Sequence, residues 1–160
     1  MPDIVDVATR SRMMSGIRSR NTKPEVALRK ALHRRGFRYA LHGKHVPGKP
    51  DIVFPSRKAV MFVHGCFWHG HDCPLYRVPG TRQEFWLKKI ARNRERDDKV
   101  RAMINEAGWR QLVIWECATR GKGGASVELI ADRAAQWLCS ATTSGEIRGD
   151  HGYSGLSRLV

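Results

Sequence analysis

Apolar positions along this 160-residue chain fall into short segments with different periods. After Thr22, Leu28, Ala31 and Leu32 recur at helical spacing, and Thr22-Lys23-Pro24-Glu25 forms a capping box ahead of them. In such a box the Thr22 hydroxyl accepts from the Glu25 amide while the Glu25 carboxylate reaches back, so a helix is expected to start here. Gly36 suits the position just past its end. Residues 37–41 read as a strand, and the Gly- and Pro-rich stretch from His42 to Lys49 as a loop. Two apolar runs follow, Ile52 to Phe54 directly after Asp51, and Ala59 to Val63. Pro55-Ser56-Arg57-Lys58 separates them, which predicts a β-hairpin. Residues 64–80 carry no helical period and are dense in His, Cys, Gly, Pro and aromatic side chains. A second capping box, Thr81-Arg82-Gln83-Glu84, predicts a long helix to about Ala107, ended by Gly108. Trp109 to Glu116 reads as a buried strand and Val127 to Cys139 as a last helix, with Cys139 in the core beside Ala135 and Leu138.

Helices on either side of a small mixed sheet give an α/β or α+β layer fold. A single domain is expected over residues 21–140. Residues 1–20 read as a mobile basic arm, and the Ser-, Thr- and Gly-rich residues 141–160 as a loosely held tail.

Composition narrows the function. With 41% hydrophobic residues, including five Trp and five Phe, the chain can bury a core and is no disordered basic tail. No run of 18 apolar residues and no apolar leader core occur, so an intracellular, cytoplasmic protein is expected and a membrane partner is not. Lys and Arg number 29 against 15 Asp and Glu, a net +14. The surplus is concentrated in residues 1–50, which hold 12 basic and 3 acidic side chains. That asymmetry points to a polyanion, nucleic acid first, with plain solubility as the competing explanation.

Four cysteines in a reducing compartment argue for metal over disulfides. Cys66-x4-His71-x-Cys73, joined by the remote Cys117, has the makings of a closed Cys3His zinc site, with His69 as the alternative imidazole. Four protein ligands leave no open position, so such a site is structural. Asp51, at the start of a strand beside a basic surface, suits Mg2+ near a phosphate. Glu25 and Asp97 are further acidic candidates. Capping already accounts for Glu25, and Asp97 lies in the mixed-charge run Glu95-Arg96-Asp97-Asp98-Lys99. On the long helix Trp86, Ile90, Asn93 and Asp97 share one stripe, because 11 residues at ~100° each return to within ~20° of the start. His69 and His64 read as ligands, general bases or packed imidazoles. Phe67, Trp68 and Trp86 either belong to the core or wedge between bases.

Together, Ala8-Thr9-Arg10-Ser11, Pro47-Gly48-Lys49-Pro50-Asp51, Val63-His64-Gly65-Cys66-Phe67-Trp68-His69, Thr81-Arg82-x-Glu84-Phe85-Trp86 and Val113-Ile114-Trp115-Glu116-Cys117 resemble the very-short-patch repair (Vsr) endonucleases over about residues 8–139. The resemblance implies a restriction-endonuclease-like α/β fold, with a central mixed sheet flanked by helices and a structural zinc. It implies a Mg2+-dependent nick in double-stranded DNA, 5′ to the T of a T·G mismatch of the kind left by deamination of 5-methylcytosine. By matching positions, Asp51 and the Val63 carbonyl would bind Mg2+, His69 would be the base oriented by Asp97, and Glu25 and His64 would hold the metal's water shell or the phosphate. Cys66, His71, Cys73 and Cys117 would hold zinc. Phe67, Trp68 and Trp86 would wedge into the duplex, with Met14 approaching from the other groove. The chain departs from the pattern at Val63, where Thr is frequent, and at Asp72, where another histidine is expected. The lysine of the wider nuclease pattern is also absent after Asp51, so His69 must carry its task. A bacterial cytoplasmic monomer acting on mismatched duplex DNA is implied, with recruitment of other mismatch-repair proteins left open. A non-catalytic zinc-stabilised DNA-binding module and a restriction-type enzyme cutting both strands are the competing functions.

Overall fold

In the computed structural model, residues 22–150 are described, together with Asp6, Ala8 and Thr9. Met14 and most of the N-terminal arm, like residues 151–160, lie outside the described residues. The first helix, α1 (Lys23–Arg34), starts as its capping residues dictate, with the Thr22 side chain accepting from the Glu25 amide. It ends in a Schellman turn, in which Phe37 N–H donates to Leu32 O and Gly36 N–H to His33 O. Gly36 adopts φ +90° there, a conformation that costs a side-chain-bearing residue more.

Five strands form one sheet in the order β1 (Ala40–Leu41), β2 (Ile52–Phe54), β3 (Ala59–His64), β4 (Arg110–Trp115) and β5 (Ser144–Ile147). The first three are antiparallel neighbours, with Ile52 opposite Met61 and Phe54 opposite Ala59. The expected hairpin is therefore present, turned by a 3-10 segment at Pro55–Arg57. β3–β4 and β4–β5 are parallel and need crossovers, which α2 (Gln83–Glu106) and α3 (Val127–Cys139) provide.

Strand alternation divides the core. From β2, β3 and β4, Ile52, Phe54, Ala59, Met61, Leu112 and Ile114 pack with Leu28, Ala31 and Leu32 of α1 and with Ile130, Ala131, Ala134, Trp137 and Leu138 of α3. Val53, Val60, Phe62 and Val113 turn to the opposite face, toward Ile104 of α2. Helices thus cover both faces of a mixed sheet, and each fully buried Leu, Ile or Phe contributes about 1.5–3 kcal/mol.

Several expectations need correction. Only Ala40–Leu41 of residues 37–41 is strand. The long helix does not use its capping box: Arg82 is the N-cap at φ 52° and no side chain caps it. Instead the Arg82 guanidinium lies 4.5 Å from the centre of the Phe85 ring. Cys139 is exposed, because the buried stripe of α3 runs through Ala131, Ala134 and Leu138, and one further residue turns ~100° away from it. The segment after Ser140 is not a loose tail throughout, since residues 144–147 complete the sheet and bury Ile147. Its junction with α3 is held by Arg110, which donates to the carbonyls of Trp137, Leu138, Ser140 and Thr142.

Candidate active site and metal centre

The irregular segment after β3 folds around cysteine and histidine. His71 N–H donates to Cys66 O and Gly70 N–H to Phe67 O, a reversal in which Gly70 sits at φ +58° against Ile90. A Cβ on Gly70 would come within 2.7 Å of Ile90 Cγ2, so the turn seats closely on α2. Ligand atoms of Cys66, His71, Cys73 and Cys117 all lie within 4.8 Å of one another, and all four residues are buried. His71 Nδ1 is 3.5 Å from both Cys66 Sγ and Cys117 Sγ. Zn–S bonds of about 2.3 Å and Zn–N bonds of about 2.05 Å at tetrahedral angles put S and N about 3.5 Å apart, so the spacing fits a single zinc.

The surroundings agree with that donor set. The Cys117 amide donates to Cys66 Sγ and the Gly149 amide to Cys117 Sγ, bonds that favour thiolate over thiol. Without a cation, the hydrogen-bonded Cys117 thiol and burial push the Cys66 thiol far up. A bound divalent ion supplies the charge that offsets this. The four cysteine and histidine residues therefore form a cluster able to bind a metal ion such as zinc. The imidazole in it is His71; His69 is engaged elsewhere.

His69 Nδ1 and Asp97 Oδ2 are 2.5 Å apart. An ionised carboxylate only accepts, so Nδ1 carries the proton and donates it. Asp97 is delivered by the stripe on α2. Along the same stripe Ile90 is buried and Asn93 Nδ2 donates to Trp68 O at 2.8 Å. Asp97 is thus no solvated member of a charge run. His64, the last residue of β3, stacks on His69 with centroids 3.8 Å apart and planes 4° apart. Burial first, and the His69 imidazole second, push His64 down to about 3, which keeps it uncharged at neutral pH.

Asp51, Glu25 and His42 form a third group, with ligand atoms within 4.8 Å of one another. Glu25 is 2% exposed on the first turn of α1 and keeps Arg29 Nη1 at 3.4 Å. Asp51 Oδ2 accepts from the Val63 amide at 2.8 Å. The dipeptide Val63-His64 therefore links the groups, one residue bonded to Asp51 and the next stacked on His69. Two carboxylates offer the hard oxygen donors that a cation such as Mg2+ takes. Sequence reasoning missed His42, which reaches the pair from a loop at φ 49°, and no spacing marks it. It also missed Glu116, whose Oε2 accepts from the Cys66 amide, although its place beside Cys117 was a usable signal.

Phe67, Trp68 and Trp86 cluster apart from the two sheet cores. Phe67 meets Trp68 at 5.2 Å and Trp86 at 5.5 Å, and Trp68 meets Trp86 at 5.9 Å, all steeply inclined. All three are half-buried, and Phe85 beside Trp86 is 44% exposed. Lys89 Nζ lies 5.5 Å from the centres of both the Trp68 and Trp86 rings. Aromatic faces at a cationic surface are suited to bases and phosphates. Among the described residues no helix is long and apolar enough to cross a membrane.

An imidazole–carboxylate pair, an acid cluster and an aromatic, basic surface are the equipment of a nuclease, and comparison with known proteins agrees. The family model described as DNA mismatch endonuclease Vsr matches residues 2–75. The chain is 42% identical over 147 residues to the DNA mismatch endonuclease Vsr of Escherichia coli, covering 92% of this chain and 94% of that one. It is 46% identical over 129 residues to the type II nicking enzyme V.XorIIP of Xanthomonas oryzae pv. oryzae, covering 81% and 95%. It is also 45% identical over 122 residues to the type II nicking enzyme V.NmeAIP of Neisseria meningitidis, covering 76% and 87%. The protein is thus a DNA nicking endonuclease. It belongs to the Vsr DNA mismatch endonuclease family.

Proposed function

We propose that the enzyme, on a restriction-endonuclease-like sheet, nicks one strand of duplex DNA 5′ to the T of a T·G mismatch in a Mg2+-dependent hydrolysis. The 2.5 Å contact between His69 Nδ1 and Asp97 carries this most directly. With Nδ1 donating, Nε2 keeps its lone pair and takes the proton of the attacking water. Asp97 holds the tautomer and steadies the imidazolium that forms. Asp51, with the Val63 carbonyl, would hold Mg2+, while Glu25 and His64 would hold its water shell or the phosphate. Bound there, Mg2+ stabilises the extra charge on the phosphoryl oxygens.

Phe67, Trp68 and Trp86 would enter the duplex at the mispair, with Met14 from the other groove. A T·G pair unstacks more readily than a matched pair, so the few kcal/mol that wedging costs falls where the lesion is. The Cys66, His71, Cys73 and Cys117 cluster would hold structural zinc and keep the segment bearing Phe67, Trp68 and His69 rigid. A single-strand cut needs one active site, which suits a monomer acting in the bacterial cytoplasm; other mismatch-repair proteins are outside what these residues require.

The test is strand-resolved cleavage of a duplex with one T·G pair and of its matched counterpart, with and without Mg2+. Cutting beside the T only, and only with metal, is expected. Equal cutting of the matched duplex removes the mismatch specificity, double-strand breaks would make it a restriction-type enzyme, and activity undiminished in chelator removes the Mg2+ role.

A further inference from the structure

Trp115, at the end of β4, lies between the cysteine–histidine cluster and the His64–His69 pair. Its indole stacks on His71, with centroids 3.9 Å apart and planes 10° apart. It meets His64 at 5.4 Å and 71°, and His69 at 6.1 Å and 75°. Its Nε1–H donates to Glu146 Oε2 of β5 at 3.0 Å, which fixes the rotation of the ring.

His69 needs such support. A single hydrogen bond at Nδ1 fixes where the imidazole is anchored but allows it to swing about that bond. The parallel His64 ring removes this freedom on one face, and His64 in turn must be backed. The planes near it are Trp115 and Phe62, the latter 5.5 Å away and tilted by 51°. Trp115 alone of these two also touches the metal cluster.

We propose that Trp115, oriented by Glu146, is a positioning residue for His69, backing the His64–His69 stack against the cysteine–histidine knot so that Nε2 points at the attacking water. This rests on His69 being the base. It gives β5 a part in the reaction although β5 carries no group that meets DNA or metal in the mechanism above. A misplacement of about 1 Å in a reacting group costs ~100-fold in rate, which sets the scale of the effect.

The test uses the full chain with zinc bound, assayed on the T·G duplex with Mg2+. Its variants are W115L, W115F, E146A and E146Q. W115L is expected to lower kcat by about ten- to a hundredfold with KM and zinc content unchanged. W115F keeps a flat ring but loses the donor, and E146A loses the acceptor, so both should show the same smaller loss. E146Q retains an oxygen that accepts from Nε1–H and should restore kcat. The downfield proton resonance of the His69 Nδ1–H bond should broaden in step with kcat, which general loosening of the fold would not produce at unchanged melting temperature. If W115L loses zinc, W115F and E146A decide. Full kcat and a sharp resonance in both overturn the proposal. A fully active H69Q variant would instead overturn the role of His69 as base, whereas an inactive H69Q beside fully active W115F and E146A overturns the Trp115 proposal alone.

Discussion

The backbone amide of Val63 donates to Asp51 Oδ2 across 2.8 Å, tying the carboxylate that precedes β2 to the strand whose next residue, His64, lies flat on His69. The antiparallel register of β2 and β3, with Ile52 opposite Met61, brings these strand ends together. The hairpin therefore holds Asp51 beside Val63, and the residue after Val63 carries the link on to His69.

Replacing the carboxylate tests this directly. D51N keeps an oxygen able to accept from Val63 but loses the charge that would hold a divalent cation on the proposed mechanism. Nicking is expected to fall by at least ~100-fold while mismatched duplex still binds, measured by single-turnover cleavage and by fluorescence anisotropy. Cleavage near the wild-type rate would remove Asp51 from the metal site.

D97N separates orientation from charge. An amide can present its NH2 to Nδ1 and favour the wrong tautomer of His69, leaving Nε2 protonated. A loss in kcat of about 10²–10⁴ is expected with KM little changed. A change confined to KM would assign Asp97 to DNA binding.

Cysteine variants distinguish knot from surface. If the cluster holds zinc as proposed, chelation or C117S should lower the melting temperature and release one zinc equivalent, because binding at such a site is coupled to folding. C139S removes an exposed thiol and should change stability by no more than about 0.5 kcal/mol. Calorimetry with metal analysis on both variants checks this, and equal behaviour of the two would contradict the role given to Cys117.

Arg110 holds the end of α3 through four carbonyls, those of Trp137, Leu138, Ser140 and Thr142. R110M, which fills the space but donates nothing, should cost about 2–4 kcal/mol in urea denaturation, since hydrogen bonds from a charged donor contribute about 1.5–3 kcal/mol each and solvent recovers part. R110K should recover little, because a point ammonium cannot reach the carbonyls that a planar fork spans. A loss under 0.5 kcal/mol for R110M would show that water replaces the fork.

Much of the framework was legible because its signals are local. Thr22 and Gly36 bracket α1, Gly108 ends α2, and short continuous apolar runs mark β2, β3 and β4. The Asp97 stripe followed from helical geometry alone, and the structure joins it to His69. β5 was not legible, since Ser144-Gly145-Glu146-Ile147 buries one apolar side chain fully and is specified by its neighbour β4. The Thr81 capping box misled because Arg82 takes a left-handed conformation over Phe85, a contact that local spacing does not encode. His42 escaped because a loop, with no period of its own, brings it to Asp51.

The Gly149 amide reaches Cys117 Sγ and Arg148 donates to Asp72 O, both just beyond the strand that finishes the sheet. During synthesis on the ribosome, the knot can collect its thiols once Cys117 has emerged, but these two fastenings must await residues 148 and 149. Vectorial assembly thus leaves the cluster without its final clasp until nearly the whole domain has been made, and a growing chain halted within α3 would present an unfinished nuclease.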